Sequence, residues 1–178
     1  QGIRLSDGVD EFKKLLEKTD IPVITTRLGI DLLESDNKLF VGRPGIYGDR
    51  AGNFAVQNAD LILCIGARLD TGIVGYDAKD WGRNAKNIVV DIDDKELNKP
   101  GVKIYKKINA DAKEFLTKLN AEILKKGLPD FDNWIKRCHK WRNKYPMVLE
   151  SYKKEGPGNS YLFTEELSKV SSPGDVIV

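Results

Sequence analysis

The chain has 178 residues, room for one full α/β domain and some further chain. Its 40% hydrophobic and 31% charged residues make a globular composition, and no apolar run approaches the ~20 residues of a membrane helix. The 29 basic and 27 acidic residues give no electrostatic case for nucleic acid, and two cysteines make no disulfide framework, which points to a reducing, cytoplasmic setting.

The first twelve residues have neither the basic nor the apolar stretch of a signal peptide, and the absent initiator methionine points to a processed or excised start. Val9, Phe12, Leu15 and Leu16 recur at helical spacing and predict a helix over 8–19. Pro22 to Thr26 is β-branched and reads as a strand that turns at Arg27-Leu28-Gly29. Residues 30–48 read as a long loop with a short strand at Leu39-Phe40-Val41, and Asp49 to Ala59 as a helix.

Leu61 to Gly66 and Asn87 to Ile92 are unbroken apolar runs, the pattern of parallel strands buried on both faces. Ala67 to Lys86 is long enough for a crossover, and Val102 to Ile108 reads as a last strand. Asp111 caps a helix with apolar positions Ala112, Phe115, Leu116, Leu119, Ile123 and Leu124. Alternating strands and helices predict a doubly wound, mostly parallel α/β sheet over residues 1–126. A helical linker follows over 127–159, with Trp134, Ile135, Cys138, Trp141 and Tyr145 on one helical face and Lys153 to Gly158 as its end. Residues 160–178 then read as the start of a truncated second domain, a helix from Ser160 to Val170 and a strand beginning at Asp175.

Open parallel sheets take ligands beyond the carboxyl ends of their strands. Those ends are Thr26 to Gly29, Gly66 to Asp70, Asp91 to Asp93 and Ala110-Asp111, expected to form one crevice. Gly66 permits close approach of a ligand, Arg68 suits a phosphate, and Asp91 or Asp93 suits a ribose hydroxyl. The two aspartates equally suit a second role, capping a short helix around 94–97. Gly42, Gly45 and Gly48 precede a helix whose N-terminus would face a phosphate, although their spacing is not that of a dinucleotide fingerprint. His139 lacks a nucleophile partner, Cys64 and Cys138 read as core, and no metal-ligand spacing is present. The basic aromatic helix over 134–145 reads as a packing stripe rather than a nucleic-acid patch. From residues alone this is a nucleotide-sized crevice without a visible catalyst.

Gly45-Ile46-Tyr47-Gly48, the run from Ala55 to Asp70, Ile88 to Asp93 and Ala110-Asp111-Ala112 closely resemble the central domain of thiamine-diphosphate-dependent enzymes. The nearest group is the acetolactate synthase large subunits, and the likeness runs over most of residues 1–124. The resemblance implies a Rossmann-like central domain whose first strand precedes Gln1, in a three-domain enzyme that decarboxylates a 2-keto acid and ligates the product to a second carbonyl compound. It implies thiamine diphosphate and Mg2+ at sites outside this chain, FAD or ADP in the central domain, and assembly as a homodimer or homotetramer in the cytoplasm, in branched-chain amino acid biosynthesis. The activating glutamate and the Gly-Asp-Gly magnesium motif belong to other domains, so the resemblance implies a fragment that is inactive alone. It carries over Gly2, Arg4, Thr26, Leu28 and Gly66 as cofactor-binding residues, together with Arg68, Asp91, Ile92, Asp111 and Ala112. Three places depart from the pattern: Tyr47 replaces a common histidine, Asp70-Thr71-Gly72 replaces Asp-Asp-Arg, and Arg27 replaces a common leucine. The alternative is a free-standing nucleotide-binding or structural domain of the same fold.

Overall fold

The apolar runs become short parallel strands in the computed structural model, which describes residues 1–154, 158–172 and 174–177. The chain divides into two compact units, Gln1–Asn143 and Lys144–Val178.

In the first unit α1 (Gly2–Leu5) and α2 (Val9–Lys18) precede β1 (Val23–Ile24) and β2 (Phe40–Gly42). Then come α3 (Arg50–Asn58), β3 (Leu61–Ile65), α4 (Thr71–Val74) and β4 (Lys86–Asp91). The short helix α5 (Asp94–Asn98), β5 (Lys106–Asn109) and α6 (Ala112–Lys126) follow, and α7 (Asp132–Lys144) reaches the unit's end. Every ladder is parallel, which is the expected α/β architecture, and the strands fall into two sheets: β1 with β2, and β3, β4, β5 in that order.

Two apolar layers sandwich these strands. On one face Val23 of β1 and Ile65 of β3 pack on Ile3, Phe12, Leu15, Leu32 and Leu116, which come from α1, α2, the following loop and α6. On the other, Ile24 and Cys64 pack with Val56, Leu69, Trp81, Val89 and Leu97. Thus β1 and β3 feed the same two cores although no ladder joins them. β4 is buried as its sequence predicts, with Val90 0% exposed. β3 is not: Leu61 is 54% and Leu63 38% exposed. The physical reason is that among the described residues β3 pairs only with β4, so no neighbouring strand flanks those side chains on its other edge.

The aromatic stripe of α7 is core. Trp134 and Trp141 pack in an edge-to-face pair 5.7 Å apart against the cluster of Val41, Ala55 and the fully buried Cys138. Arg142 donates from its two terminal nitrogens to the Phe40 and Ser35 carbonyls at 2.7 and 2.9 Å, and His139 Nε2 bonds the Lys38 carbonyl at 2.8 Å. Near the end of α6, Leu124 is exposed rather than apolar core, because Leu116, Leu119 and Ile123 form the packed face and Leu124 lies to its side.

In the second unit Asn159 caps α8 (Ser160–Val170), and the rings of Tyr152 and Tyr161 stack 5.9 Å apart. Of the expected linker, Lys153 and Lys154 close a 3-10 turn, while 155–157 lie outside the described residues. The strand expected from Asp175 is not formed over 175–177, where no strand among the described residues supplies a ladder, and Val178 lies outside the described residues. Among the described residues no helix is long and apolar enough to cross a membrane.

Candidate functional site

The carboxyl ends of β3, β4 and β5 open onto a cleft of about 460 Å³, walled on one side by Gly2 and Leu5 of α1. Its floor is built on glycine. Gly66 follows β3 with φ +54°, and its carbonyl accepts the Gly2 N–H at 3.0 Å. A Cβ on either glycine would lie 2.6 Å from the other's Cα, so only two glycines allow this crossing. Arg68 and Leu69 follow with φ +61° and +41°, a left-handed pair that side chains disfavour. Buried Leu69 anchors the turn in the core, and Lys99 Nζ donates to the Arg68 carbonyl.

Acids form the opposite wall. Asp91 Oδ1 accepts the Asp93 N–H at 3.0 Å, and Asp93 Oδ1 caps α5 through the Lys95 N–H at 2.9 Å. Asp111 Oδ1 caps α6 through the N–H groups of Lys113 and Glu114, at 2.8 and 3.2 Å. The capping role thus falls to one oxygen each of Asp93 and Asp111, whereas Asp91 caps no helix and uses one oxygen on the Asp93 N–H. The Oδ2 atoms of all three make no hydrogen bond to a described residue and remain able to accept from a ligand. Asn109 donates to the Asp91 and Ile92 carbonyls at 3.2 and 2.9 Å and holds this wall in place.

Seven of the ten residues singled out in the sequence line the cleft: Gly2, Gly66, Arg68, Asp91, Ile92, Asp111 and Ala112. Three do not. Arg4 pairs with Asp31 at 2.8 Å, and Thr26 and Leu28 follow β1 outside the lining, Leu28 being 63% exposed. Asn109, Glu96 and Lys99 escaped sequence reasoning, since only the i, i+3 spacing of Glu96 on α5 and Lys99 just after it hinted at a pair.

The glycine stretch before α3 is no phosphate cradle. Asp49 occupies that helix start itself, accepting from the Gly52 N–H at 2.6 Å and the Arg43 N–H at 2.7 Å. Gly52 and Gly48 are packed against the Arg43 backbone, so the stretch folds on itself. Asp70, at one of the departures from the resembled pattern, caps α4 through the Ile73 N–H at 3.3 Å. Burial pushes the Cys64 thiol up to about 12 and the Cys138 thiol up to about 11, so both are protonated at neutral pH. Among the described residues no group of three or more His, Cys, Asp or Glu side chains could hold a metal ion.

Comparison with known proteins gives one family and consistent relatives. The family model described as the thiamine pyrophosphate enzyme central domain matches residues 1–119. An acetolactate synthase large subunit of Lactococcus lactis is 36% identical over 180 residues, covering 99% of this chain and 30% of that protein. That of Porphyra purpurea is 33% identical over 155 residues, with 83% of this chain and 25% of the relative covered. A probable acetolactate synthase large subunit of Methanocaldococcus jannaschii is 33% identical over 138 residues, with 78% and 23% covered. The chain thus spans less than a third of the length of these curated relatives.

Proposed function

Because the chain belongs to the thiamine pyrophosphate enzyme central-domain family, we propose that it serves as the central domain of an acetolactate-synthase-like enzyme, and that its cleft binds an adenine nucleotide, either ADP or FAD. The observation that supports the binding role is the joining of Arg68 and the three free carboxylate oxygens at three adjacent strand ends. This set of one cationic donor and three acceptors fits a nucleoside diphosphate. Ribose hydroxyls donate well to Asp91 and Asp93, as to acids at the ends of strands in dinucleotide sites. The phosphates suit the Arg68 guanidinium, beside a Gly2–Gly66 crossing where no side chain intervenes.

In the whole enzyme thiamine diphosphate, held with Mg2+ by other domains, supplies the carbon nucleophile for decarboxylation and ligation of 2-keto acids. This chain's part is structural and nucleotide-binding: it contributes neither the activating glutamate nor the magnesium motif, and it is inactive alone. Boundaries near 126 and 159 separate central domain, linker and the start of the diphosphate-binding domain, and the enzyme is a cytoplasmic homodimer or homotetramer.

The test is calorimetric titration of the chain with ADP and with FAD. Saturable one-to-one binding, weakened about tenfold in Asp91→Ala by loss of a charge-assisted hydrogen bond, is the expected result; no binding of either overturns the nucleotide role. The longer enzyme carrying this chain should release CO2 from a 2-keto acid only when thiamine diphosphate is present, and thiamine-independent or absent turnover overturns the enzymatic role.

A further inference from the structure

Arg68 carries the single cationic side chain among the cleft's lining residues, against the carboxylates of Asp91, Asp93, Glu96 and Asp111. It is not idle. Its Nε lies 3.4 Å from Glu96 Oε1, although the side chain is 75% exposed. Glu96 is engaged twice, because its Oε2 also accepts from Lys99 Nζ at 2.5 Å. That same ammonium donates to the Arg68 carbonyl, across 31 residues of chain. One lysine therefore grips both the backbone of the left-handed turn and the acid that holds its guanidinium.

Two physical consequences follow. First, consecutive left-handed side-chain-bearing residues are sterically disfavoured and persist only where the surroundings hold them. Here the buried Leu69 side chain and the Lys99 bond do so. Second, a guanidinium that leaves Glu96 strands no uncompensated charge, because Lys99 stays on the acid. The exposed Arg68–Glu96 contact is itself weak, as solvated ion pairs are. Transfer of Arg68 to an entering anion is therefore cheap, and the anion competes with Glu96 for the guanidinium.

We propose that Lys99 and Glu96 are positioning residues for the cleft: Lys99 latches the Arg68–Leu69 turn, Glu96 parks the Arg68 guanidinium, and a phosphate-bearing ligand takes it by exchange. This rests on the cleft's nucleotide-binding role and assigns its charge selectivity to the two residues that hold Arg68 and its turn.

The test titrates the chain and its variants with ADP and with adenosine at fixed ionic strength. Glu96→Gln should tighten ADP binding about three- to tenfold and leave adenosine unchanged. In the Arg68→Gln background Glu96→Gln should have no effect on ADP, whereas a plain change of net charge would act equally in both backgrounds. Lys99→Ala should weaken ADP by a similar factor without weakening adenosine, and Lys99→Arg should restore it. The same Glu96→Gln gain without Arg68, or unchanged ADP binding in Lys99→Ala, overturns the exchange. A thermal unfolding scan of each variant separates lost binding from lost folding. Failure of every variant and the unaltered chain to bind either probe overturns the nucleotide role together with it.

Discussion

Where Gly2 crosses Gly66, hydrogen is the largest group either backbone can carry. Gly66→Ala places a methyl 2.6 Å from the Gly2 Cα at a φ of +54°. The left-handed penalty alone is about 1–2 kcal/mol and backbone displacement adds to it. Urea titration should show a loss of about 2 kcal/mol or more, with ADP binding impaired as α1 moves off the cleft. Cys64 makes a prediction of the opposite kind, visible only in alkali. Its thiol titrates at about 12 in the folded chain against an ordinary 9.0. Between those values the folded state retains a proton that the unfolded chain releases. Stability is thus undiminished below pH 9 and falls as pH rises above it, by about 1.4 kcal/mol per pH unit. Cys64→Ala removes that component, and its unfolding free energy should decline less steeply between pH 9 and 11.

At the scale of the element, caps and loops decide what the cleft contains. Asp49 closes the loop before α3 with two short hydrogen bonds, so Asp49→Ala should cost about 2 kcal/mol and speed amide exchange at Arg43 and Gly52. The cap at Asp111 was legible because an acid stands just before a helical apolar pattern. The run Ile88-Val89-Val90 was equally legible as a strand, since β-branched residues between polar ends suit few other structures. The exposure of Leu61 and Leu63 was not, because a strand's burial depends on what pairs beside it rather than on its own residues. The sequence marked Asp91 and Asp93 for either capping or ligand binding. Structure shows why the choice was false at Asp93: capping consumes one oxygen and leaves the other. Lys99 was illegible because its partner, the Arg68 carbonyl, is a backbone atom 31 residues away, which no side-chain pattern encodes.

At the scale of the whole first unit, the three-stranded sheet leaves the outer edge of β3 unpaired among the described residues. Lys86 N–H to the Asp60 carbonyl and Gly66 N–H to the Val90 carbonyl, both at 2.8 Å, turn the even-numbered residues of β3 toward β4. Alternation in a parallel ladder then turns the backbones of Leu61, Leu63 and Ile65 outward. Their amides should exchange much faster than those of β4, and sedimentation should show self-association rising with concentration. Leu63→Lys should suppress that association, and a monomer at every concentration would contradict it. Distance along the chain adds a demand in time. Asn120 Nδ2 on α6 donates to the Glu11 carbonyl on α2 across 109 residues, and Lys113 reaches Asp7 across 106. On a ribosome adding about 5–20 residues per second, α2 therefore waits on the order of 5–20 seconds for its partner. Throughout that interval Phe12 and Leu15 face water or a chaperone, and the nascent chain is most open to capture before α6 has emerged.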